Sequence, residues 1–359
     1  SKPLWELWVV EAPGTDQWAL VAKVHHCMID GLAGVDLMSM LMDLMPVDQI
    51  TDPVPWTPRP APSGAEMVVG ESARFTRYVI DAMKGAGRTA KTAASGQGGE
   101  LRQRLTSRAT AVSASLKSGW LNPSSITPIN EKIGPNRRFD WTVTPLDDVK
   151  AIKRTLGVTV NDVLVAITAG AIRRFLVKHR GFDVNGADIR AMVPVSVRGG
   201  GSLGESSNQI AMWLVHLPVH EPDPESRIRF VHSQTEEVKT ERHAEGALTL
   251  VQGASATPAR MMAAGLKAAQ GIRPFNLTIT NVPGPQVPLY LQGAKMDRVF
   301  PVVPLWQHHG LGVALFSYQG SVHWGVMSDW DLLPDLDAFI ECIEEEVAEM
   351  VSLFAGEPA

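Results

Sequence analysis

From residue 138 onward, stretches with strand character are interleaved with stretches in which apolar residues recur at helical spacing. Six stretches are predicted strands: Arg138–Val143, Ile189–Val197, Gln209–Leu217, Phe275–Asn281, Gly312–Tyr318 and Val322–Met327. Five are predicted helices: Leu146–Leu156, Asn161–His179, Pro224–Arg242, Leu248–Gln270 and Leu333–Phe354. Helices and strands that alternate along a chain pack as layers of helices against a sheet. The predicted fold class is therefore a layered α/β sandwich.

The N-terminal segment predicts a hairpin followed by a helix. Leu4–Glu11 and Trp18–Val24 have strand character, and the turn signal Pro13-Gly14-Thr15-Asp16 lies between them. The second strand runs directly into His25 and His26. Apolar residues at helical spacing then predict a helix over 32–45.

Two proline-containing segments divide the chain. Pro46–Pro62 contains six prolines and predicts a semi-rigid connector, while Leu121–Pro135 predicts a second linker. Between them, residues 64–120 predict two helices that are interrupted near 96–99. This span has nine Lys and Arg against four acidic residues, so it is basic in an otherwise acidic chain.

Composition excludes several classes of protein. Hydrophobic residues make up 45% of the 359 residues, which excludes intrinsic disorder of the whole chain. The net charge of -5 gives no reason to expect nucleic acid as a partner. Two cysteines, Cys27 and Cys342, cannot build a disulfide framework and predict a reducing compartment. The sequence has no run of about 18 apolar residues that would predict a membrane-spanning helix.

The segment with the most chemical content runs from His25 to Gly31. It stands at the end of a predicted strand, which holds an imidazole rigidly while the loop beyond leaves it open to a ligand. Neighbouring residues on a strand point to opposite faces, so one of His25 and His26 can face a cleft and the other the interior. Asp30 lies close enough to shape the loop, and Gly31 lets the backbone turn sharply.

Three interpretations of this segment stay open on the residues alone. In the first, His25, His26 and Asp30 bind a metal, although opposite-facing neighbours chelate one ion poorly and no further Cys/His cluster lies nearby. In the second, the histidines are hydrogen-bonded interior groups at a hairpin end. In the third, one imidazole is a general base near neutral pH, without a nucleophilic Ser or Cys of its own.

Other catalytic patterns are missing from the sequence. It contains no GxSxG elbow, no GxxxxGK[ST] loop and no HExxH helix. His308-His309 has no Asp-Gly after it and is predicted to be structural. Cys27 lacks a separate activating base, and a packing role is predicted for it.

His25-His26-x-x-x-Asp30-Gly31 resembles the HHxxxDG motif of coenzyme A-dependent acyltransferases, a superfamily that includes nonribosomal peptide condensation domains and plant acyltransferases. Further elements resemble the bacterial wax ester synthase/diacylglycerol acyltransferase (WS/DGAT) family. They are Pro3-Leu4-Trp5-Glu6 (PLW), Asn161-Asp162-Val163-Leu164 (ND), Met192–Arg198 with Leu203-Gly204 and Asn208-Gln209 (second-domain core), and Asn276–Pro285 (NVPGP). The matches span nearly the whole chain, and their order is specific for the family, whereas HHxxxDG alone would name only the superfamily.

The resemblance implies a fold of two similar α/β lobes, like that of chloramphenicol acetyltransferase, with the active site in a tunnel between them. Residues 1–120 would be the C-terminal part of the first lobe, with the motif and the basic helical segment, and residues 121–359 the second lobe. In the family the motif lies well inside the first lobe, whereas 24 residues precede it here. The first lobe is therefore expected to be N-terminally incomplete in this chain. The missing N-terminal segment of the same protein, or the same segment as a separate chain, is an expected partner.

The resemblance also assigns roles to the motif. His26 would be the general base, and His25 its neighbour that faces away. Asp30, beside Gly31, would pair with an arginine and shape the loop, and Arg198 is the candidate partner; the alternative is that Arg198 only ends its strand.

Other residues are weaker candidates. Thr278, Thr280 and Asn281 are candidate oxyanion donors, with the alternative that threonines simply suit a strand. Asn161 and Asp162 are supporting candidates, although an N-cap role would explain Asp162 completely. Asn208 is predicted to hold a sharp loop.

The reaction implied is transfer of a long-chain acyl group from acyl-coenzyme A to diacylglycerol, which makes triacylglycerol, with fatty alcohols as further acceptors that give wax esters. Acyl-coenzyme A is a co-substrate, and no cofactor or metal is expected. Two alternatives stay open: an acyltransferase of the same fold that acts on an amine or a polyketide hydroxyl, and a catalytically silent lipid-binding homologue. The expected location is cytoplasmic, with peripheral attachment to the inner membrane or to lipid droplets through the basic 64–120 segment. Solvated helices are the alternative for that segment.

Overall fold

The computed structural model describes residues 3–25, 40–47, 60–70, 122–196, 210–240 and 273–356, together with single positions between residues 34 and 80. The predicted hairpin is confirmed: strands β1 (Trp5–Glu11) and β2 (Trp18–Val24) pair antiparallel. Consecutive residues of β1, such as Trp8 and Val9, are both exposed, so neither face of this hairpin is covered along its length. The described positions 34, 38, 40 and 41 are helical, in agreement with the helix predicted over 32–45.

In the described part of the chain, one mixed sheet forms the centre of the fold. Its strands are β3 (Arg137–Pro145), β4 (Ile189–Ser196), β5 (Ile210–Leu217), β6 (Leu277–Pro283), β9 (Leu311–Tyr318) and β10 (Ser321–Asp329). Their order is β3-β10-β9-β6-β4-β5. Strands β4, β6 and β9 run parallel to one another, and the remaining pairs are antiparallel.

Helices cover one face of this sheet. They are α1 (Leu146–Leu156), α2 (Val160–Arg180), α3 (Pro224–Thr240) and α4 (Leu336–Phe354). The main core forms where their apolar stripes meet one set of alternating strand residues, for example Ile279, Val313 and Trp324. The predicted alternation of helices and strands is thus confirmed as an α/β fold.

Most predicted boundaries lie within two or three residues of the observed ones. The predicted helix Leu248–Gln270 lies outside the described residues. The short strands β7 (Tyr290–Leu291) and β8 (Ala294–Lys295) were not predicted, because two-residue strands have no periodicity to detect.

The opposite face of the sheet, called here the open face, has a second and smaller apolar cluster. Leu289, Phe316 and Tyr318 are buried there, and Met38 and Met42 pack against them. The backbone of Asp43 also pairs with that of Tyr290 through two hydrogen bonds of 2.8 Å. The segment that follows the His25–Gly31 motif is therefore docked on the open face.

A strap of residues 297–305 crosses the same face at two glycines. A Cβ atom at Gly325 would overlap the carbonyl oxygen of Pro301, and one at Gly312 would lie 2.7 Å from Cγ1 of Val303. Side chains at these positions would push the strap away from the sheet.

A buried charged group joins three of the helices on the other face. Glu346 of α4 is 1% exposed and pairs with Arg227 of α3 and, at 2.9 Å, with Nε of Arg174 of α2. Gly170 makes room for it, because a Cβ there would overlap the carboxyl group of Glu346. Removal of one member of this group strongly destabilises the fold, because it leaves a buried charge without a partner.

The predicted linker Leu121–Pro135 is not a free linker where the structure describes it, from residue 122 onward. Asn130 donates from Nδ2 to the backbone oxygen of Asn276 at 2.8 Å, and Thr127 donates to Oδ1 of Asn130 at 2.6 Å. Asn276 in turn donates to Ser125 and Asn130, so buried amides fix this irregular segment to the start of β6. The division into lobes at residues 120 and 121 stays a prediction.

Within the described ranges, no single helix has the length and apolar character needed to cross a membrane. Helices α1 and α2 meet that test only as a pair, and they are bent by 102° relative to one another.

Candidate active site

The hairpin ladder continues past β2 as far as His25. Its backbone N–H donates to the carbonyl oxygen of Leu4 over 2.7 Å, one pair beyond Trp5 and Val24. The backbone that leads into the motif is thus held at a strand end, as the sequence predicts, and the His25 residue is exposed. The rest of the motif lies outside the described residues, including His26, Cys27, Asp30 and Gly31.

The parallel strands bring several candidates to one edge of the sheet. Since β4, β6 and β9 run in the same direction, their carboxyl ends share that edge. Arg198 follows β4 in sequence, but it and Asn208 lie outside the described residues. Asn281, near the end of β6, donates from Nδ2 to Oδ1 of Asn161 over 3.4 Å. The structure therefore brings Asn161 and Asn281 together at the carboxyl edge.

Thr278 and Thr280 lie on the open face, as their alternation predicts. Their register partners on β9 are Gly312 and Ala314, whereas Asn281 is paired with the core residue Leu315 and contacts Asn161 on the helix side. The three candidate oxyanion donors thus do not converge from one face. Thr278 is 4% exposed, and its hydroxyl has no hydrogen-bond partner among the described residues. A buried hydroxyl without a partner is costly, which makes it a candidate donor to a bound group.

The open face is also where the motif-bearing segment docks. Val282, two residues beyond Thr280, belongs to the cluster that packs Met38 and Met42. Thr278 and Thr280 therefore share a sheet face with the helical segment that begins a few residues after the motif.

Asp162 has a structural role that the sequence indicates in part. The N-cap of α2 is Thr159 rather than Asp162, and the two form a reciprocal capping box. Asp162 also accepts from Thr235 at 2.8 Å and lies 2.8 Å from Nδ1 of His232. Burial raises the pKa of Asp162, but hydrogen bonds from Thr159, His232 and Thr235 outweigh burial and hold that pKa below its ordinary value of 3.8. The carboxylate thereby fixes the first turn of α2, which carries Asn161.

Sequence reasoning missed His232 and Thr235 as partners of Asp162. Both lie on α3, about 70 residues away, and nothing in their local pattern distinguishes them from other polar helix residues. Their spacing of three residues places them on one helix face, which is the only signal the sequence carries.

His309 is an interior group, in agreement with the predicted structural role of His308-His309. Its ring nitrogens lie 2.7 Å from the Gln307 oxygen and 2.9 Å from the Phe275 oxygen, and its ring stacks on Phe275. Burial, more than any other cause, lowers the pKa of His309 below its ordinary 6.5. The described residues contain no group of three or more His, Cys, Asp or Glu arranged to hold a metal ion.

Two family models match the chain. The wax ester synthase/diacylglycerol acyltransferase catalytic domain matches residues 1–164, and the WS/DGAT C-terminal domain matches residues 206–351. A solved structure, the wax ester synthase/diacylglycerol acyltransferase from Marinobacter aquaeolei VT8, has the same fold with a TM-score of 0.63 at 24% identity. The similarity covers 99% of this chain and 72% of that chain.

Curated relatives are similar over nearly the whole chain. The probable diacylglycerol O-acyltransferase tgs1 of Mycobacterium tuberculosis is 30% identical over 355 residues, which is 98% of this chain and 72% of the relative. The O-acyltransferase WSD of Acinetobacter baylyi is 28% identical over 367 residues, which is 99% of this chain and 74% of the relative. The resemblance inferred from the motifs is confirmed: the chain belongs to the wax ester synthase/diacylglycerol acyltransferase family.

Proposed function

We propose that the chain transfers a long-chain acyl group from acyl-coenzyme A to the free hydroxyl of diacylglycerol, which forms triacylglycerol, and also to fatty alcohols. The relatives carry the names diacylglycerol O-acyltransferase and wax ester synthase. The observation that carries the proposal is the motif His25-His26-x-x-x-Asp30-Gly31, which directly follows a strand end in a chain of this family. Acyl-coenzyme A serves as co-substrate, and the proposed reaction uses no other cofactor.

His26 is proposed as the general base. An alcohol is a weak nucleophile at neutral pH, so the imidazole takes the hydroxyl proton while the alcohol oxygen bonds to the thioester carbon. Collapse of the tetrahedral intermediate breaks the carbon–sulfur bond, and the imidazolium returns the proton to the departing thiolate. The products are the ester and free coenzyme A. The strand-end position of His25, bonded through its backbone to Leu4, supports a rigidly placed neighbour.

The remaining candidates support this step. Asp30 is proposed to pair with Arg198 and hold the motif loop, and Asn208 to hold the loop after β4. Thr278 and Thr280 are proposed donors to the oxyanion, because they share the open face with the motif-bearing segment and the Thr278 hydroxyl has no partner among described residues. Asn161 and Asn281, joined by a hydrogen bond, are proposed to hold the carboxyl edge in place.

The apolar substrates also support peripheral attachment of the protein to a membrane or lipid-droplet surface. In the helical residues 64–70, Met67, Val68 and Val69 are exposed, and the surrounding 64–120 segment is basic. We propose cytoplasmic attachment to anionic membrane or lipid-droplet surfaces through this segment. Flotation with anionic vesicles tests it, and a protein that stays at the bottom of the gradient contradicts the attachment.

The function is tested with radiolabelled palmitoyl-coenzyme A and either diacylglycerol or hexadecanol. We expect ester product from the wild type and a loss of about two to four decades in rate for His26→Ala. The exposed histidine His220 supplies the matched control, since His220→Ala should retain wild-type rates. Equal product from His26→Ala and wild type contradicts the base assignment. A wild type that esterifies neither acceptor contradicts the proposed function, and favours an amine or polyketide acceptor, or a silent homologue.

A further inference from the structure

A recess of about 440 Å³ lies at the β3 edge of the sheet. It is lined by Trp141 and Val143 of β3, Ser321 and His323 of β10, and Asp297 and Arg298 of the strap. The family motifs quoted above include none of these residues. The recess therefore belongs to no site described so far.

The recess opens on the same face of the sheet as the candidate active site. His323 is paired with Phe316, and Phe316 is paired with Val282, so the three form one row across β10, β9 and β6. Phe316 and Val282 are in the cluster that packs Met38 and Met42. At about 4.8 Å per strand, His323 lies on the order of 10 Å from Val282 along that row.

The floor of the recess presents an unused acceptor. His323 is 2% exposed, and its Nδ1 atom has no hydrogen-bond partner among the described residues. Burial is the main cause that lowers the pKa of His323 below its ordinary 6.5, and a hydrogen bond to the Phe316 backbone works against it. The ring is therefore neutral at pH 7. A neutral imidazole has one N–H donor and one lone pair, so with the N–H directed to the Phe316 backbone the other ring nitrogen can accept a hydrogen bond.

The walls offer a cation and an aromatic face. Arg298 is exposed, and Trp141 is 47% exposed although its ring contacts that of Phe300 at 5.4 Å between centroids. Asp297 adds a carboxylate beside Arg298. The groups that complement this lining are a hydrogen-bond donor for the His323 ring, a flat ring for Trp141, an anion for Arg298 and a hydroxyl for Asp297.

Among the proposed reactants, only the adenosine end of acyl-coenzyme A has all four of these complementary groups. Acyl chains, glycerides and fatty alcohols are apolar and do not suit a recess with this many polar groups. We infer that the recess binds the adenosine end of acyl-coenzyme A, with the adenine amino group on His323, the base against Trp141, a phosphate on Arg298 and the ribose hydroxyl on Asp297. This inference rests on the proposed function, since it takes acyl-coenzyme A as the substrate. The pantetheine arm of the coenzyme would then run along the open face toward the motif.

Calorimetric titration of the whole chain with adenosine 3′,5′-bisphosphate tests the recess directly. We expect binding by the wild type and a Kd raised roughly tenfold or more by Arg298→Ala, as for loss of one charge-assisted contact. Trp141→Ala should also weaken binding. The matched controls are Lys153→Ala on α1 and Trp330→Ala, a comparably exposed tryptophan, and both should leave Kd unchanged. Equal Kd for wild type, Arg298→Ala and Trp141→Ala overturns the inference.

Two further experiments follow. The first distinguishes coenzyme A binding from binding of other nucleotides, and the second distinguishes a failure of the recess assignment from a failure of the proposed function. Palmitoyl-coenzyme A should displace the bisphosphate, whereas displacement by ATP alone identifies a site for free nucleotides and overturns the inference. In the transferase assay, Arg298→Ala should raise the KM for palmitoyl-coenzyme A and leave the KM for diacylglycerol unchanged. An inactive wild type contradicts the proposed function, while an active wild type whose acyl-coenzyme A KM matches that of both variants contradicts only the recess.

Discussion

Asn281 of β6 donates a hydrogen bond from Nδ2 to Oδ1 of Asn161, in the first turn of α2, over 3.4 Å. The two residues are 120 positions apart in sequence, and both are partly buried. The bond joins the NVPGP strand to the ND helix at the carboxyl edge of the sheet. Two elements that stand apart in the sequence are therefore one structural unit beside the candidate active site.

This pairing predicts a non-additive effect on the reaction. Asn161→Ala and Asn281→Ala should each lower the transferase rate by roughly threefold to tenfold, because each removes the same hydrogen bond at the edge of the site. The double variant should lose no more than either single variant. Initial rates with palmitoyl-coenzyme A measure all three, and Asn185→Ala, at an exposed turn, is the control. Losses that multiply in the double variant would show that the residues act separately.

Asp162 should stabilise the fold in a pH-dependent way. Its pKa in the folded protein is below the ordinary 3.8, so its contribution is present above that value and is lost as pH falls through the folded pKa. Asp162→Asn should lower the free energy of unfolding by about 2 kcal/mol at pH 7, since buried partners lose a charged acceptor. Urea titrations of both proteins should give a difference at pH 7 that shrinks as the pH falls below 3.8. A difference that persists unchanged at lower pH contradicts the assignment.

The order of the elements could be predicted because each one has a local periodic signal. Helix α1 was predicted over Leu146–Leu156 and observed there, since its apolar spacing and the following Gly157 mark both ends. Gly157 has φ of +69°, the conformation that ends a helix at glycine. The sequence predicts Leu121–Pro135 as a linker instead, because the anchors of this docked segment are Asn130 and Asn276, which meet only in the folded chain.

Only those features of the candidate site that lie within a single sequence motif could be predicted. The two-residue period of a strand predicts that Thr278 and Thr280 share a face. The contact between Asn281 and α2 could not be predicted in this way, because it depends on how the helix packs against the sheet. The recess beside His323 could not be predicted at all. Its lining comes from two strands and the strap, and the strap approaches the sheet only because Gly312 and Gly325 lack side chains.

Cys342 should be unreactive in the folded protein. It is 2% exposed, and burial raises the pKa of its thiol to about 11, so almost none is thiolate at neutral pH. Iodoacetamide at pH 7.5 should leave the peptide that contains Cys342 unmodified, and the same treatment in urea should alkylate it. Mass spectrometry of the digested protein reads both states. Rapid alkylation without urea would show that α4 separates from the core.

Gly170→Ala should destabilise the protein, against the ordinary trend for helices. In an open helix interior this change stabilises by about 1 kcal/mol, because alanine has the higher helix propensity. Here the new Cβ overlaps the carboxyl group of Glu346, which must leave Arg227 or distort α4. A loss of about 3 kcal/mol in the free energy of unfolding is expected. Gly70→Ala is the control, since a Cβ at that helical position meets nothing within 4 Å. If both changes stabilise alike, α2 and α4 do not meet at Glu346 as described.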